Sequence, residues 1–278
     1  MIRYFKESFR RKRARRLFRE YPATIDNYDL EKEGTIQFAN WENPLIARVD
    51  INQSAVDFYR RYISEGDMAI DIGTNTGDTT VPMALAAGRR GLTIGFDPNP
   101  VVFKILKINS SLNKDKTCIE PYCYAVTAHE DEFYFVSSEA SFSNGGVSKT
   151  PKSRLGRFVY PQKVRGVNLE EFLSKNHPTW LPKLCFIKID AEGYDKEIIK
   201  SISPLIVKHK PVVITESYKH SSGSEKMELF DAIKKNGYKI FYFSGFDVNT
   251  TMTELKSRED ILQWKKTVNL ISFPEQIH

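Results

Sequence analysis

Cysteine is scarce in this chain, and no long apolar run is present. The three cysteines, Cys118, Cys123 and Cys185, form no C-x-x-C pair and are odd in number. That excludes a disulfide framework and leaves a reduced, cytoplasmic setting as the expectation. No stretch approaches the roughly 20 consecutive apolar residues of a membrane span, and the basic N-terminus lacks the apolar core of a signal peptide. Internal repeats and sustained heptads are missing too, which sets aside solenoids and coiled coils. What is there is a chain of 278 residues, 41% hydrophobic and 27% charged. That is enough for one large α/β domain, or for one domain with a small appendage.

Positive charge is unevenly placed. Residues 1–20 hold nine Lys or Arg against Glu7 and Glu20, a net +7, whereas the whole chain is +6, so residues 21–278 carry −1. Ile2, Phe5, Phe9, Leu17 and Phe18 can share one face of a basic helix in this segment. Such a helix suits an anionic membrane surface, a nucleic acid, or simple solvation. The expected organisation is therefore a basic amphipathic helix or tail over 1–20, a lead-in over 21–66 and the main domain over 67–278.

Within the lead-in, 35–38 and 47–51 read as short strands and 54–63 as a helix capped by Ser54. Apolar runs at 68–72, 92–96, 119–125, 133–136, 185–190, 212–215, 238–243 and 268–273 read as strands. Helical stretches at about 79–88, 99–112, 169–173, 194–202 and 224–236 separate many of them, Asn99 serving as N-cap before Pro100. This alternation predicts a mainly parallel sheet with helices on both faces, whose ligands sit at the carboxyl ends of the strands. Residues 137–165 interrupt it as a long Ser- and Gly-rich loop. From 149 to 165 that loop carries Lys149, Lys152, Arg154, Arg157, Lys163 and Arg165 without an acid. A lid gripping a phosphate or acidic sugar and a solvated flexible loop both fit this composition.

The strand at 68–72 runs into Asp71-Ile72-Gly73-Thr74-Asn75-Thr76-Gly77-Asp78, a glycine-rich turn on which a nucleotide-like cofactor can lie. A dinucleotide fingerprint needs G-x-G-x-x-G, whereas here the spacing is D-x-G-x-x-x-G, which argues against a nicotinamide enzyme. Asp97 ends the next strand, where an acid can accept hydrogen bonds from both ribose hydroxyls or cap the following helix. Asp71, an acid at the end of a buried strand, calls for a cationic ligand nearby or for backbone N–H donors from the turn.

Three blocks carry a resemblance. Asp71-Ile72-Gly73-Thr74-Asn75-Thr76-Gly77-Asp78-Thr79, then Gly95-Phe96-Asp97-Pro98-Asn99-Pro100, then Ile187-Lys188-Ile189-Asp190-Ala191-Glu192-Gly193-Tyr194-Asp195 together resemble the FkbM family of S-adenosylmethionine-dependent methyltransferases, over about residues 65–220. Asp97 and Asp195 stand where the family more often has Glu. The resemblance implies a Rossmann-like class I methyltransferase fold, a mostly parallel seven-stranded sheet with one antiparallel strand. It also implies methyl transfer to oxygen, often to a sugar hydroxyl of a glycan, glycolipid or nucleotide sugar. By position Asp71, Gly73, Thr74, Asn75 and Gly77 would hold the methionine part, and Asp97, with Pro98 and Asn99, the ribose. Tyr124 and Ala125 would lie by the adenine.

A methyl sulfonium is already activated, so the protein has to supply alignment and a proton acceptor. Asp190 and Glu192 stand next to the transferred methyl on this reading, Asp190 also touching the cofactor, while Glu216 and His220 follow the next strand. Asp190 and Glu216 can further be read as ligands for a divalent cation such as Mg²⁺. For Glu192 a helix-dipole charge and for His220 an ordinary surface histidine are the plainer readings. The expected acceptor is a carbohydrate, anionic or lipid-linked, handled in the cytoplasm or at the cytoplasmic membrane face. An RNA or protein acceptor, or a binding module without turnover, are the alternatives.

Overall fold

The structure, a computed structural model, describes residues 2–275. The side chains of Ile2 and Phe5, expected on the apolar face of the first helix, lie outside the described residues. The chain opens with α1 (Ile2–Arg16) and a hairpin of β1 (Ala23–Leu30) and β2 (Gly34–Trp41). Then α2 (Gln53–Tyr59), β3 (Met68–Ile72), α3 (Thr80–Ala87), β4 (Leu92–Phe96), α4 (Val102–Asn109) and β5 (Ile119–Tyr122) alternate. An insertion of short strands follows: β6 (Tyr124–Val126), β7 (Asp131–Ser137), β8 (Gly146–Ser148), β9 (Phe158–Val159) and β10 (Val164–Val167). The chain returns through α5 (Leu169–Asn176), β11 (Leu184–Ile189), α6 (Asp195–Ser201), α7 (Ser203–His209) and β12 (Val212–Ser217). It closes with α8 (Gly223–Lys235), β13 (Tyr238–Phe243), β14 (Met252–Leu255) and β15 (Val268–Pro274).

The main sheet has the order β14-β13-β15-β12-β11-β3-β4-β5. Strands β12, β11, β3, β4 and β5 are parallel, and β15 is inserted antiparallel between β12 and β13. This is the class I methyltransferase arrangement, with β14 added antiparallel as an eighth strand on the edge. Every residue of β3 is buried because helices cover both faces. Met68, Ile70 and Ile72 pack with Leu173, Ile198 and Leu229 from α5, α6 and α8. Ala69 packs on the other side with Phe58, Tyr59 and Met83 from α2 and α3. Strand side chains alternate between faces, so one apolar run serves two cores. Helix α3 is buried along its whole length, and Pro82 is tolerated in its first turn, where an N–H has no intrahelical acceptor.

Several expectations change. The lead-in is an eight-on-eight hairpin over 23–41, and 47–51 is not a strand. Helix α2 is capped by Asn52, which accepts from Ala55 N–H at 3.0 Å, rather than by Ser54. The apolar run 119–125 divides between two sheets, β5 joining the main one and β6 the second. The stretch 137–165 is not a bare loop: β8, β9 and β10 all form in it, and β7 pairs with each of them. All three cysteines are free thiols. Among the described residues no helix is long and apolar enough to cross a membrane.

Candidate functional site

Backbone geometry at the end of β3 sets the site. Gly73 N–H donates to Phe96 O at 2.8 Å and Gly77 N–H to Thr74 O at 2.9 Å, closing the turn against β4. Gly73 adopts φ +80°, and a Cβ there would lie 1.9 Å from the Asp190 carbonyl oxygen, so only glycine lets β3 and β11 end side by side. Asn75, at φ 48°, turns its N–H to Asp97 Oδ2 at 2.8 Å, and Asn99 N–H reaches Asp97 Oδ1 at the same distance. Burial pushes the Asp97 carboxyl up to about 7, against these two N–H bonds. A buried acid facing a cavity gains from a diol that donates hydrogen bonds to it.

That cavity, of about 330 Å³, lies at the carboxyl ends of β3, β4 and β11, where the strand-end rule places ligands. Gly73, Asn75, Asp97, Pro98, Asn99 and Asp190 line it from the main sheet, and Tyr124, Ala125, Phe135 and Gly146 from the second. The turn glycine and the buried acid, with Tyr124 among the lining residues, fit an adenosine-bearing cofactor.

Asp71, Thr74 and Gly77 are placed otherwise: none lines this cavity. Asp71 is completely buried, with Oδ2 accepting from the Thr79 and Thr80 hydroxyls at 2.8 and 2.7 Å and Oδ1 lying 3.3 Å from Lys188 Nζ. A lysine of the chain itself is its counter-charge. Thr74 is fully buried behind the turn, and Gly77, at φ +102°, abuts Leu106.

Lys188 carries a role that reading the chain by segments missed. It is 3% exposed in the middle of β11 and register partner of Asp71, with its Nζ also 3.4 Å from Asp190 Oδ2. Burial alone would lower its pKa, but Asp71 and Asp190 outweigh that and raise it. A charge inside an apolar strand has to be paired, so a lysine flanked by Ile187 and Ile189 was the available signal. Asp195 is a second such residue. Buried at the start of α6, it accepts from Glu216 N–H at 2.8 Å and Ala191 N–H at 3.2 Å, and burial pushes it up to about 7.

A second cavity, about 730 Å³, adjoins the first and shares Asn144, Gly145, Arg154, Leu155 and Glu192 with it. Glu216 and His220 line this one and not the first, whereas Asp190 lines only the first. Glu192 is thus the one candidate carboxylate on both. It sits at φ 52°, a left-handed conformation that costs a non-glycine residue energy and that clusters at functional positions. Burial raises its pKa, opposed by a hydrogen bond from Tyr218. Glu216 is pushed up to about 9 by burial and by the charges of Asp190, Asp195 and Glu192. Burial and these like charges hold a proton on it more tightly than on an ordinary carboxylate, which disfavours it as a base. His220 is exposed, its ring 5.2 Å from and edge-on to Tyr218.

The divalent cation expected on Asp190 and Glu216 finds no support. The two carboxylates line different cavities, Asp190 faces the Lys188 ammonium, and among the described residues no group of three His, Cys, Asp or Glu converges on a metal position. Three of the six cations in the basic stretch 149–165 pair with acids earlier in the chain. Lys149 pairs with Asp131, Lys163 with Glu132 at 3.5 Å and Arg165 with Glu130 at 2.5 Å. Arg154, 3.6 Å from Glu225, is the one of the six cations that lines both cavities.

Residues 71–240 match the profile of the methyltransferase FkbM domain. A ribosomal protein L11 methyltransferase from Bacillus licheniformis is 28% identical over 99 residues, 36% of this chain, and the match spans only 29% of that relative's length. Among solved structures, a methyltransferase FkbM from Methylobacillus flagellatus is 12% identical, with TM-score 0.46 over 78% of this chain and 50% of that one. An S-adenosylmethionine-dependent O-methyltransferase from Thermotoga maritima is 10% identical, with TM-score 0.43 over 92% and 80%.

Proposed function

Because this chain belongs to the FkbM methyltransferase family, we propose that it is an O-methyltransferase that uses S-adenosylmethionine to methylate a carbohydrate hydroxyl. The observation that carries this reading is the polar second cavity joined to the cofactor cavity through Glu192. Apart from Gly145 and Leu155, every residue lining it presents a nitrogen or oxygen on its side chain. Such a wall matches a polyhydroxylated acceptor better than an apolar one.

Bound S-adenosylmethionine supplies an electrophilic methyl carbon on a positive sulfur. The chain does the rest. Asp97 accepts from the ribose hydroxyls, and Tyr124 walls the base. Glu192 takes the proton of the acceptor hydroxyl, its raised pKa bringing it nearer to neutral pH, where a general base works best. Protonated Glu216 donates a hydrogen bond to the acceptor, and Arg154 offers a fork to an acidic or phosphorylated sugar.

Transfer of labelled methyl from S-adenosylmethionine into a glycan extract tests the reading. Glu192→Gln is expected to lower kcat by about 10²–10⁴-fold while cofactor affinity measured by calorimetry stays unchanged. Full activity in that variant, with Asp190→Asn inactive, would move the base to Asp190. Absence of cofactor binding in the wild type would sink the enzyme reading. Label entering ribosomal protein or RNA instead of glycan would favour the second reading, of a protein or RNA acceptor; the Bacillus match bears on its protein half alone.

A further inference from the structure

The basic N-terminal segment is not a loose tail. Its last turn is fastened to the body: Ala14 is fully buried, Ser141 N–H donates to Ala14 O at 3.1 Å, and Ala140 N–H donates to Arg15 O at 3.2 Å. Arg15 Nε lies 3.3 Å from Glu139, and the Phe18 ring meets Phe142 edge-on at 5.9 Å. The stretch that receives it, 139–142, runs between Ser138, on the acceptor cavity, and Ser143, on the cofactor cavity. Helix α1 is therefore anchored at the rim of the site.

Its outer surface is unusual in two ways at once. Residues 9–13 and 15–20 are all exposed. Among the described residues the three most exposed large hydrophobic side chains are Phe9 at 67%, Leu17 at 58% and Phe18 at 56%. Arg10, Arg11, Lys12, Arg13 and Arg16 stand between Phe9 and Leu17, and Arg19 follows Phe18. Phe9 lies five residues before Ala14, about 140° round the helix, so it points away from the docked side.

We propose that α1 and the turn that follows it dock on an anionic phospholipid bilayer, with their cations at the headgroups and Phe9 and Leu17 in the interface. The near-neutral body leaves this segment as the strongly basic end of the molecule, so adsorption is oriented and brings the rim of the acceptor cavity to the surface. The acceptor class that follows is a hydroxyl carried on a lipid. This acceptor half rests on the methyltransferase reading above, while the docking half does not. A phosphate backbone would satisfy the cations equally, but it offers nothing that buries Leu17.

Co-sedimentation of the full chain with vesicles of phosphatidylcholine, and of phosphatidylcholine mixed with phosphatidylglycerol, tests this. Partitioning is expected to be at least about tenfold stronger onto the anionic vesicles and to fall as salt is raised. The double variant Arg10→Glu/Arg13→Glu should lose that preference, and Phe9→Ser should weaken it several-fold. Calorimetric binding of S-adenosylmethionine should be unchanged in all variants, so a failed docking result stays distinct from a failed methyltransferase reading. Equal partitioning onto both vesicles, or an unaltered double variant, would overturn the proposal. Stronger binding to duplex RNA than to anionic vesicles at the same salt would also overturn it, in favour of a nucleic-acid contact.

Discussion

At the residue scale, two buried charges decide how the ends of β3 and β11 are held. Lys188 stands between Asp71 and Asp190, and with its ammonium removed the fully buried Asp71 keeps only the Thr79 and Thr80 hydroxyls. Lys188→Met is expected to destabilise by about 3 kcal/mol, as happens when one partner of a buried pair is removed. Adding Asp71→Asn should recover part of that loss, because the uncompensated charge goes with it. Denaturant unfolding of the two variants measures both. The opposite situation holds at Glu216, whose folded pKa of about 9 lies above its ordinary 4.5. The folded chain keeps a proton that the unfolded chain releases, so stability falls as pH climbs from about 4.5 to about 9. Asp97 and Asp195, both raised to about 7, add to the lower part of that slope. Glu216→Gln should flatten the upper part, so that its Tm equals or exceeds the wild-type value at alkaline pH. A thermal scan across pH that shows the same slope in both proteins would contradict this.

At the element scale, the N-terminal hairpin is tied to the cofactor turn by one side chain of α4. Asn109 accepts from Ala39 N–H at 2.6 Å and donates to Ala39 O at 3.1 Å and to Thr76 O at 2.8 Å. Asn109→Ala leaves these buried groups unpaired and is expected to cost about 1–3 kcal/mol. Cofactor affinity should drop with it, since the turn carrying Asn75 loses its support. Calorimetry and denaturant unfolding on the same variant test the two effects. This hairpin also shows why parts of the fold were not legible in the sequence. β1 alternates polar side chains over a largely exposed surface, and beyond its pairing with β1 the backbone of β2 is held by Asn109 and Asn113, about seventy residues later. β8 and β9 are two or three residues long and depend on β7 for pairing. By contrast β3, β4 and β11 are apolar throughout or nearly so, because both faces are covered, and their ends can be read directly. That is why Gly73, Asp97 and Asp190 can be placed at the strand ends from the sequence, while for Asp71 the sequence offers a cationic ligand or backbone N–H donors and not its partner Lys188, 117 positions away.

At the scale of the whole molecule, the cofactor cavity has walls from two sheets that share little else. Gly73, Asp97 and Asp190 belong to the ends of the main sheet, whereas Tyr124, Val126, Phe135 and Val147 belong to the insertion over 124–167. A ligand filling about 330 Å³ between them closes one against the other. S-adenosylhomocysteine at a hundredfold excess over its Kd should stabilise the folded chain by about 2.7 kcal/mol. In a domain of this size that corresponds to a Tm rise of roughly 5–10 °C. The gain should be localised: amides of β6, β7 and β8 should exchange more slowly with the ligand present, because opening of the insertion then requires release of the ligand. Hydrogen exchange followed by mass spectrometry reads this segment by segment. A Tm rise with unchanged exchange over 124–167 would mean that the ligand is held by the main sheet alone, and that the insertion serves only the acceptor side.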